Sequence, residues 1–170
     1  RLQNEAAFFA EYQNEPLPEV EVADDLLSAD QIAAKVDGHA RGLVPLGCSH
    51  LTMFVDVQGK ALFYLVAAWE DDFTGHVIDY GTEPDQKQAY FTLRDIKRTL
   101  GAASVRAGAE GAIYAGLERL MEATVAREWR RDDGAMVRID RCLIDANWGS
   151  STDVVYQFCR QSPHASVLTP

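Results

Sequence analysis

The sequence contains few of the features that mark secreted, membrane or disulfide-bonded proteins. Its three cysteines, Cys48, Cys142 and Cys159, have no CxxC spacing, which excludes a disulfide-rich scaffold and predicts reduced thiols that pack in the core. No apolar run reaches the roughly 18 residues of a membrane span, and the first residues lack a basic and then apolar signal sequence. With 47% hydrophobic and 25% charged residues, the composition predicts a soluble folded domain in the cytosol.

Positive charge is also scarce. The 170 residues include 16 basic and 26 acidic side chains, a net charge of −10, which argues against binding nucleic acid by bulk electrostatics. Any polyanion would need a local basic patch. Arg127, Arg130 and Arg131 form one such cluster, predicted near the C-terminus of a helix. It could contact phosphates, or it could merely complement the helix dipole.

Two common hydrolase motifs are missing. The four histidines have neither HxxxH nor HExxH spacing, and no GxSxG sequence is present. We therefore expect neither zinc hydrolysis nor a serine nucleophile.

The hydrophobic pattern predicts an ordered series of elements. Ser28 and Gln31 form a capping box for a short helix in the N-terminal segment. Three strands are predicted at 51–57, 61–69 and 76–80, helices at 85–100 and 113–129, a fourth strand at 137–144, a helix from about residue 152, and a fifth strand beginning at 165–168. This order predicts an α/β domain with a ribonuclease H-like fold: a mixed five-stranded sheet, first three antiparallel strands and then parallel ones, flanked by helices.

Two aspartates stand in similar apolar settings. Asp56 lies inside the first predicted strand and Asp145 at the end of the fourth, and these strands are neighbours in the predicted topology. Facing carboxylates there could hold two Mg²⁺ or Mn²⁺ ions for phosphodiester hydrolysis. Alternatively, each aspartate caps a turn or pairs with an arginine. Trp148, in the polar loop after Asp145, could stack on a base or pack in the core.

Several segments together resemble one family. They are the Phe9-Ala-Glu-Tyr-Gln-Asn-Glu-Pro16 sequence, the strand at 51–57 with its aspartate, the strand end at 77–81, and the Cys142-Leu-Ile-Asp145 sequence leading into 152–156. This combination resembles the nuclease half of the large terminase subunit of tailed phages, especially the lambda-like branch.

The resemblance implies a metal-dependent endonuclease domain that cuts concatemeric double-stranded DNA during phage DNA packaging, in the cytoplasm of a bacterial host. It implies that Asp56 and Asp145 bind Mg²⁺ or Mn²⁺, with Asp153 as a further candidate ligand and a third acid expected beyond residue 170. Residues 1–48 would then be an arm or linker from a missing ATPase domain, and residues 49–170 a C-terminally incomplete nuclease domain.

The same resemblance implies that the small terminase subunit and the portal are partners of the full-length protein, with no role for a membrane. A second function is left open. The chain could be a non-catalytic phage or prophage assembly module that docks on the portal or the small subunit through its acidic surface.

Overall fold

A computed structural model describes residues 27–36, 38–88, 91–105, 107–147 and 152–170 of the chain. The chain divides into two units, residues 1–38 and 39–170. The described part of the first unit holds helix α1 (Ala29–Ala33), which the predicted capping box begins: the hydroxyl of Ser28 accepts from the N–H of Gln31, and the Gln31 side chain accepts from the N–H of Ser28.

The second unit is built from eight strands and three helices in its described part. The strands are β1 (Leu43–Val44), β2 (His50–Val57), β3 (Leu62–Trp69), β4 (Gly75–Glu83), β5 (Trp129–Arg131), β6 (Met136–Val137), β7 (Arg141–Ile144) and β8 (Leu168–Thr169), and the helices are α2 (Leu100–Ala103), α3 (Gly108–Thr124) and α4 (Thr152–Gln161). Strands β1, β5 and β6 form a small three-stranded sheet. None of the described helices is long and apolar enough to cross a membrane.

The main sheet is mixed and five-stranded, with the order β4-β3-β2-β7-β8. Strands β2, β3 and β4 are antiparallel, whereas β7 is parallel to β2 and β8 is parallel to β7. This confirms the predicted sheet, including the pairing of its first and fourth strands.

Strand β2 shows how the sheet is positioned. Its alternate residues Leu51, Met53, Val55 and Val57 are buried. They lie on the face of the sheet that packs against α3 and α4 in one hydrophobic core. The two helices also contact each other in this core: the ring of Tyr114 in α3 packs edge to face on the ring of Phe158 in α4, with the ring centroids 5.2 Å apart. The opposite face of the sheet carries the intervening residues of β2.

Three predicted elements differ from the structure. The strand predicted at 137–144 is split into β6 and β7, which belong to different sheets. Asp140 makes the break: its N–H donates to the carbonyl of Leu51 at 2.8 Å, and its carboxylate accepts the N–H of Leu51 at 2.9 Å. The helix predicted to reach Trp129 ends at Thr124, and Trp129 is buried from strand β5, where its Nε1 donates to the carbonyl of Thr124.

The helix predicted over residues 85–100 is also wrong for the residues described there. Most of that stretch is a loop, and only its last residue begins α2. The buried side chain of Gln86 holds the loop by bonding to its backbone on both sides: the amide nitrogen donates to the carbonyls of Pro84 and Arg98, and the amide oxygen accepts from the N–H groups of Lys97 and Arg98. Because one side chain satisfies four backbone groups, the loop needs no helical hydrogen bonds there.

Candidate functional site

Asp56, in β2, and Asp145, the residue directly after β7, occupy matching positions on adjacent parallel strands. The β2–β7 register pairs Val55 with Ile144, and the N–H of Asp145 donates to the carbonyl of Val55 at 2.8 Å. Val55 and Ile144 are buried in the core, so the next residue of each strand belongs to the opposite face. Both aspartates are half-buried there.

Each carboxylate is held by a residue two positions further along the chain. The side-chain amide of Gln58 donates to both oxygens of Asp56, at 2.9 and 3.1 Å. Oδ1 of Asp145 accepts the N–H of Asn147 at 2.9 Å, as expected if Asp145 caps a turn. Within the described ranges, neither aspartate forms a salt bridge with a lysine or arginine.

A cavity of about 500 Å³ opens beside Asp145. Its lining includes Phe54 of β2, Asn147, and Tyr156 of α4. The size lies within the range of about 300 to 1,000 Å³ that is usual for ligand sites. The carboxylate of Asp145 therefore borders a recess that a substrate group could enter.

Helix α4 begins close to this recess. The hydroxyl of Thr152 donates to the carbonyl of Ala146 at 2.6 Å, which fixes the start of the helix to the loop after β7. Asp153 follows in the first turn of α4 and is exposed. The predicted base-stacking residue, Trp148, lies outside the described residues.

A larger cavity, of about 770 Å³, is lined by residues of β3 and β4. It includes Phe63, the cross-strand partner of Asp56, together with Phe91, Tyr80 and Arg41. Phe63 and Phe91 stack with their ring centroids 6.1 Å apart. Aromatic rings and one arginine thus line a recess that includes the cross-strand neighbour of Asp56. Sequence reasoning missed this recess because its parts come from four separate segments.

Arg41 is fixed by an ion pair with Asp79. Its Nε is 2.5 Å from Oδ1 of Asp79, whose side chain is only 10% exposed, and its guanidinium also lies over the ring of Tyr80. The hydrogen bond to Asp79 is the main reason why the pKa of Arg41 is raised above its ordinary value. Burial, reinforced by the Asp79 charge, also raises the pKa of Tyr64, which donates to the same carboxylate.

The predicted basic cluster lies at the other end of β2. Arg130 and Arg131 belong to β5, which pairs with β1, so their predicted place at a helix terminus is wrong. Strand β1 precedes the start of β2, and the six residue-to-residue steps from His50 to Asp56 span about 20 Å. The structure therefore does not bring the cluster to the acid pair.

Two of the three arginines also have partners of their own. Arg131 forms a bidentate pair with Asp133, with distances of 3.1 and 2.8 Å. The guanidinium of Arg127 lies over the ring of Trp129, 3.8 Å from its centroid. Arg130 is exposed.

The family comparison agrees with the resemblance carried by the sequence segments. The sequence-family model described as "terminase large subunit gpA, endonuclease domain" matches residues 6–169. The chain therefore belongs to this family. No curated protein and no solved structure matches the chain at a significant level.

Proposed function

We propose that this domain is a divalent-metal-dependent endonuclease with a ribonuclease H-like fold that cuts concatemeric double-stranded DNA during phage DNA packaging. Membership of the terminase endonuclease family supports the reaction and the substrate. The observation that carries the proposal is the parallel β2–β7 register, because it brings Asp56 and Asp145 side by side on one face of the sheet.

The chemistry of these donors fits Mg²⁺ or Mn²⁺. Hard divalent cations prefer carboxylate oxygens, and no lysine or arginine among the described residues already neutralises the two aspartates by a salt bridge. Two ions held there would supply activation of the attacking water and stabilisation of the leaving oxygen in an in-line displacement. Asp56 and Asp145 would be their ligands, and exposed Asp153 is the weaker candidate for a third.

The surrounding residues prepare the carboxylates for that task. Gln58 fixes the carboxylate plane of Asp56, and the N–H of Asn147 fixes one oxygen of Asp145. Because both carboxylates are already oriented, less conformational entropy is lost when a cation binds.

The cavity beside Asp145 would give DNA an approach to this pair, and the larger cavity, which includes the cross-strand partner of Asp56, would add contacts next to it. Arg41 and the aromatic rings of the larger recess supply a cation and stacking surfaces on an otherwise acidic chain. The cluster of Arg127, Arg130 and Arg131 would contact phosphates farther along the duplex, because it lies by β1, before the start of β2, and β2 itself runs about 20 Å from there to Asp56. We also propose residues 1–48 as the arm from an ATPase domain, and the small terminase subunit and portal as partners.

The test is cleavage of supercoiled plasmid in Mn²⁺ by the wild type, Asp56→Asn, Asp145→Asn and the control Asp72→Asn, whose exposed carboxylate bonds only locally to Thr74. We expect the first two substitutions to abolish nicking and the control to retain it. Retained cleavage in both Asp56→Asn and Asp145→Asn would overturn the assignment. An inactive wild type that binds no metal would instead favour the non-catalytic assembly module.

A further inference from the structure

Three side chains with different metal-binding atoms meet at the end of the main sheet that lies away from the acid pair. One ligand atom each from Cys48, Glu70 and His76 all lie within 4.8 Å of one another. Nε2 of His76 is 3.3 Å from Oε1 of Glu70. The three residues come from the segment before β2, the turn after β3, and the start of β4.

Backbone hydrogen bonds fix all three segments. The N–H of Ser49 donates to the carbonyl of Trp69 at 3.0 Å, which attaches the residue after Cys48 to the residue before Glu70. The N–H of Glu70 donates to the carbonyl of Thr74 at 2.9 Å and closes the β3–β4 hairpin. His76 is paired with Ala68 of β3 in the sheet register. The cluster therefore rests on the fold and not on three long side chains that happen to meet.

The burial of the cluster is graded. Cys48 is only 1% exposed and lies at its base. The side chains of His76 and Glu70 are 22% and 38% exposed, so an ion could reach the cluster from solvent past them. Burial, and secondly the negative charge of Glu70, raises the pKa of the Cys48 thiol. A bound cation would reverse this effect, because it stabilises the thiolate and releases the proton.

We propose that Cys48, Glu70 and His76 form a zinc site that is separate from the nuclease centre. A thiolate, an imidazole and a carboxylate are the donors that zinc accepts, whereas Mg²⁺ prefers oxygen ligands alone. Three protein ligands leave one tetrahedral position for water. The ring of His39 meets that of His76 edge to face at 6.1 Å between centroids, and so packs against one of the proposed ligands.

The site would crosslink the segment that leads into β2 with the β3–β4 hairpin. Cys48 precedes β2 and Asp56 lies near its far end, so the zinc ligands and the acid pair share a strand but no residue. Loss of zinc would therefore lower the stability of the sheet without removing a ligand of the nuclease centre.

The test is titration of metal-free protein with Co²⁺, which reports a cysteine ligand through its thiolate-to-metal charge-transfer absorption, followed by competition with Zn²⁺. We expect one equivalent to bind with that absorption in the wild type. Cys48→Ser should abolish the absorption. It should also weaken metal binding by more than about 100-fold, because removing a residue that only hydrogen-bonds to a metal ligand already costs up to about that much. The matched control is Cys159→Ser, a buried cysteine in α4, which should bind normally.

A second variant covers the case in which Cys48→Ser does not fold. Glu70→Gln keeps the size of a partly exposed side chain, and it should retain the fold by circular dichroism while binding Co²⁺ and Zn²⁺ at least about 10-fold more weakly. A wild type without the charge-transfer absorption would show that Cys48 binds no metal and would overturn the proposal. Absorption that persists in Cys48→Ser, or disappears in Cys159→Ser, would overturn it too.

Discussion

The side-chain amide of Gln58 donates to both carboxylate oxygens of Asp56, at 2.9 and 3.1 Å. One side chain therefore occupies both atoms through which Asp56 would bind a cation. Since a carboxylate oxygen has more than one lone pair, the amide can orient the group while a metal ion shares it. Gln58 would therefore orient the metal ligand, whereas Asp56 would be the ligand itself. Substitutions of the two residues can distinguish these roles.

Metal binding should stabilise the wild type and not the variant that lacks the ligand. At Mn²⁺ concentrations of about 100 times the dissociation constant, mass action raises the free energy of unfolding by roughly 2.7 kcal/mol. We expect Asp56→Asn to lose most of this gain and Gln58→Ala to keep most of it. Thermal melts with and without Mn²⁺ measure the effect. An equal response in the wild type and Asp56→Asn would mean that Asp56 binds no ion.

The three arginines at the β5 end should make contacts with DNA that are independent of sequence. If Arg127, Arg130 and Arg131 touch phosphates, replacing all three with alanine should reduce the slope of log K against log salt by roughly 0.9 per lost contact. Fluorescence anisotropy over a salt series measures this slope. Arg160→Ala, an exposed change in the last turn of α4, is the control. If the slope stays the same, these arginines have a structural role only.

The Arg131–Asp133 pair predicts a dependence of stability on pH. Its hydrogen bonds, and then that from the N–H of Ala135, lower the pKa of Asp133 from 3.8 to about 2. A carboxyl group whose pKa is lower in the folded than in the unfolded protein stabilises the fold at pH values above its unfolded pKa. This stabilisation is lost as the pH falls towards the pKa of the folded state. The melting temperature of Asp133→Asn should therefore lie slightly below that of the wild type at pH 6, and the two should converge between pH 4 and about pH 2. If the difference in melting temperature stays constant over this pH range, the Arg131–Asp133 pair does not contribute to stability as proposed.

Gly75 is required by the indole of Trp69. A Cβ at Gly75 would lie 2.6 Å from the ring, and the ring cannot turn away without breaking the 2.7 Å hydrogen bond from its Nε1 to the hydroxyl of Thr52. We expect Gly75→Ala to reduce the free energy of unfolding by about 1 to 3 kcal/mol, the usual cost of overpacking. Urea unfolding measures it. Gly101→Ala, where a Cβ meets nothing within 4 Å, should be neutral or slightly stabilising.

The sheet could be predicted from the sequence because its signal is local. Alternation from Leu51 to Val57 marks both the strand and its buried face, and the order of the elements then gives the neighbours of each strand. The adjacency of Asp56 and Asp145 follows from that topology. What could not be predicted depends on single polar side chains, such as the carboxylate of Asp140 that interrupts a strand.

The Cys48, Glu70 and His76 cluster was missed for a related reason. Metal motifs are recognised in a sequence by short spacings, and Cys48 is separated from Glu70 and His76 by the whole β2–β3 hairpin. The one available signal was positional, since each residue lies at an end of a strand at the same edge of the predicted sheet. The expectation that the cysteines only pack is a prediction that the cobalt titration will test for Cys48.

The β2–β7 pairing also determines when the proposed catalytic pair can form. Leu51 and Asp140, which bond at the start of this pairing, are 89 residues apart in the chain, and the same offset separates Asp56 from Asp145. Closing a loop of this length costs conformational entropy before the contact contributes any stability. Such contacts therefore tend to form late in folding. A nascent chain that has emerged only as far as α3 contains one of the two acids and not the other. Under the proposed function, competence to cut DNA would thus be tied to completion of the sheet, and a partly synthesised chain would lack it.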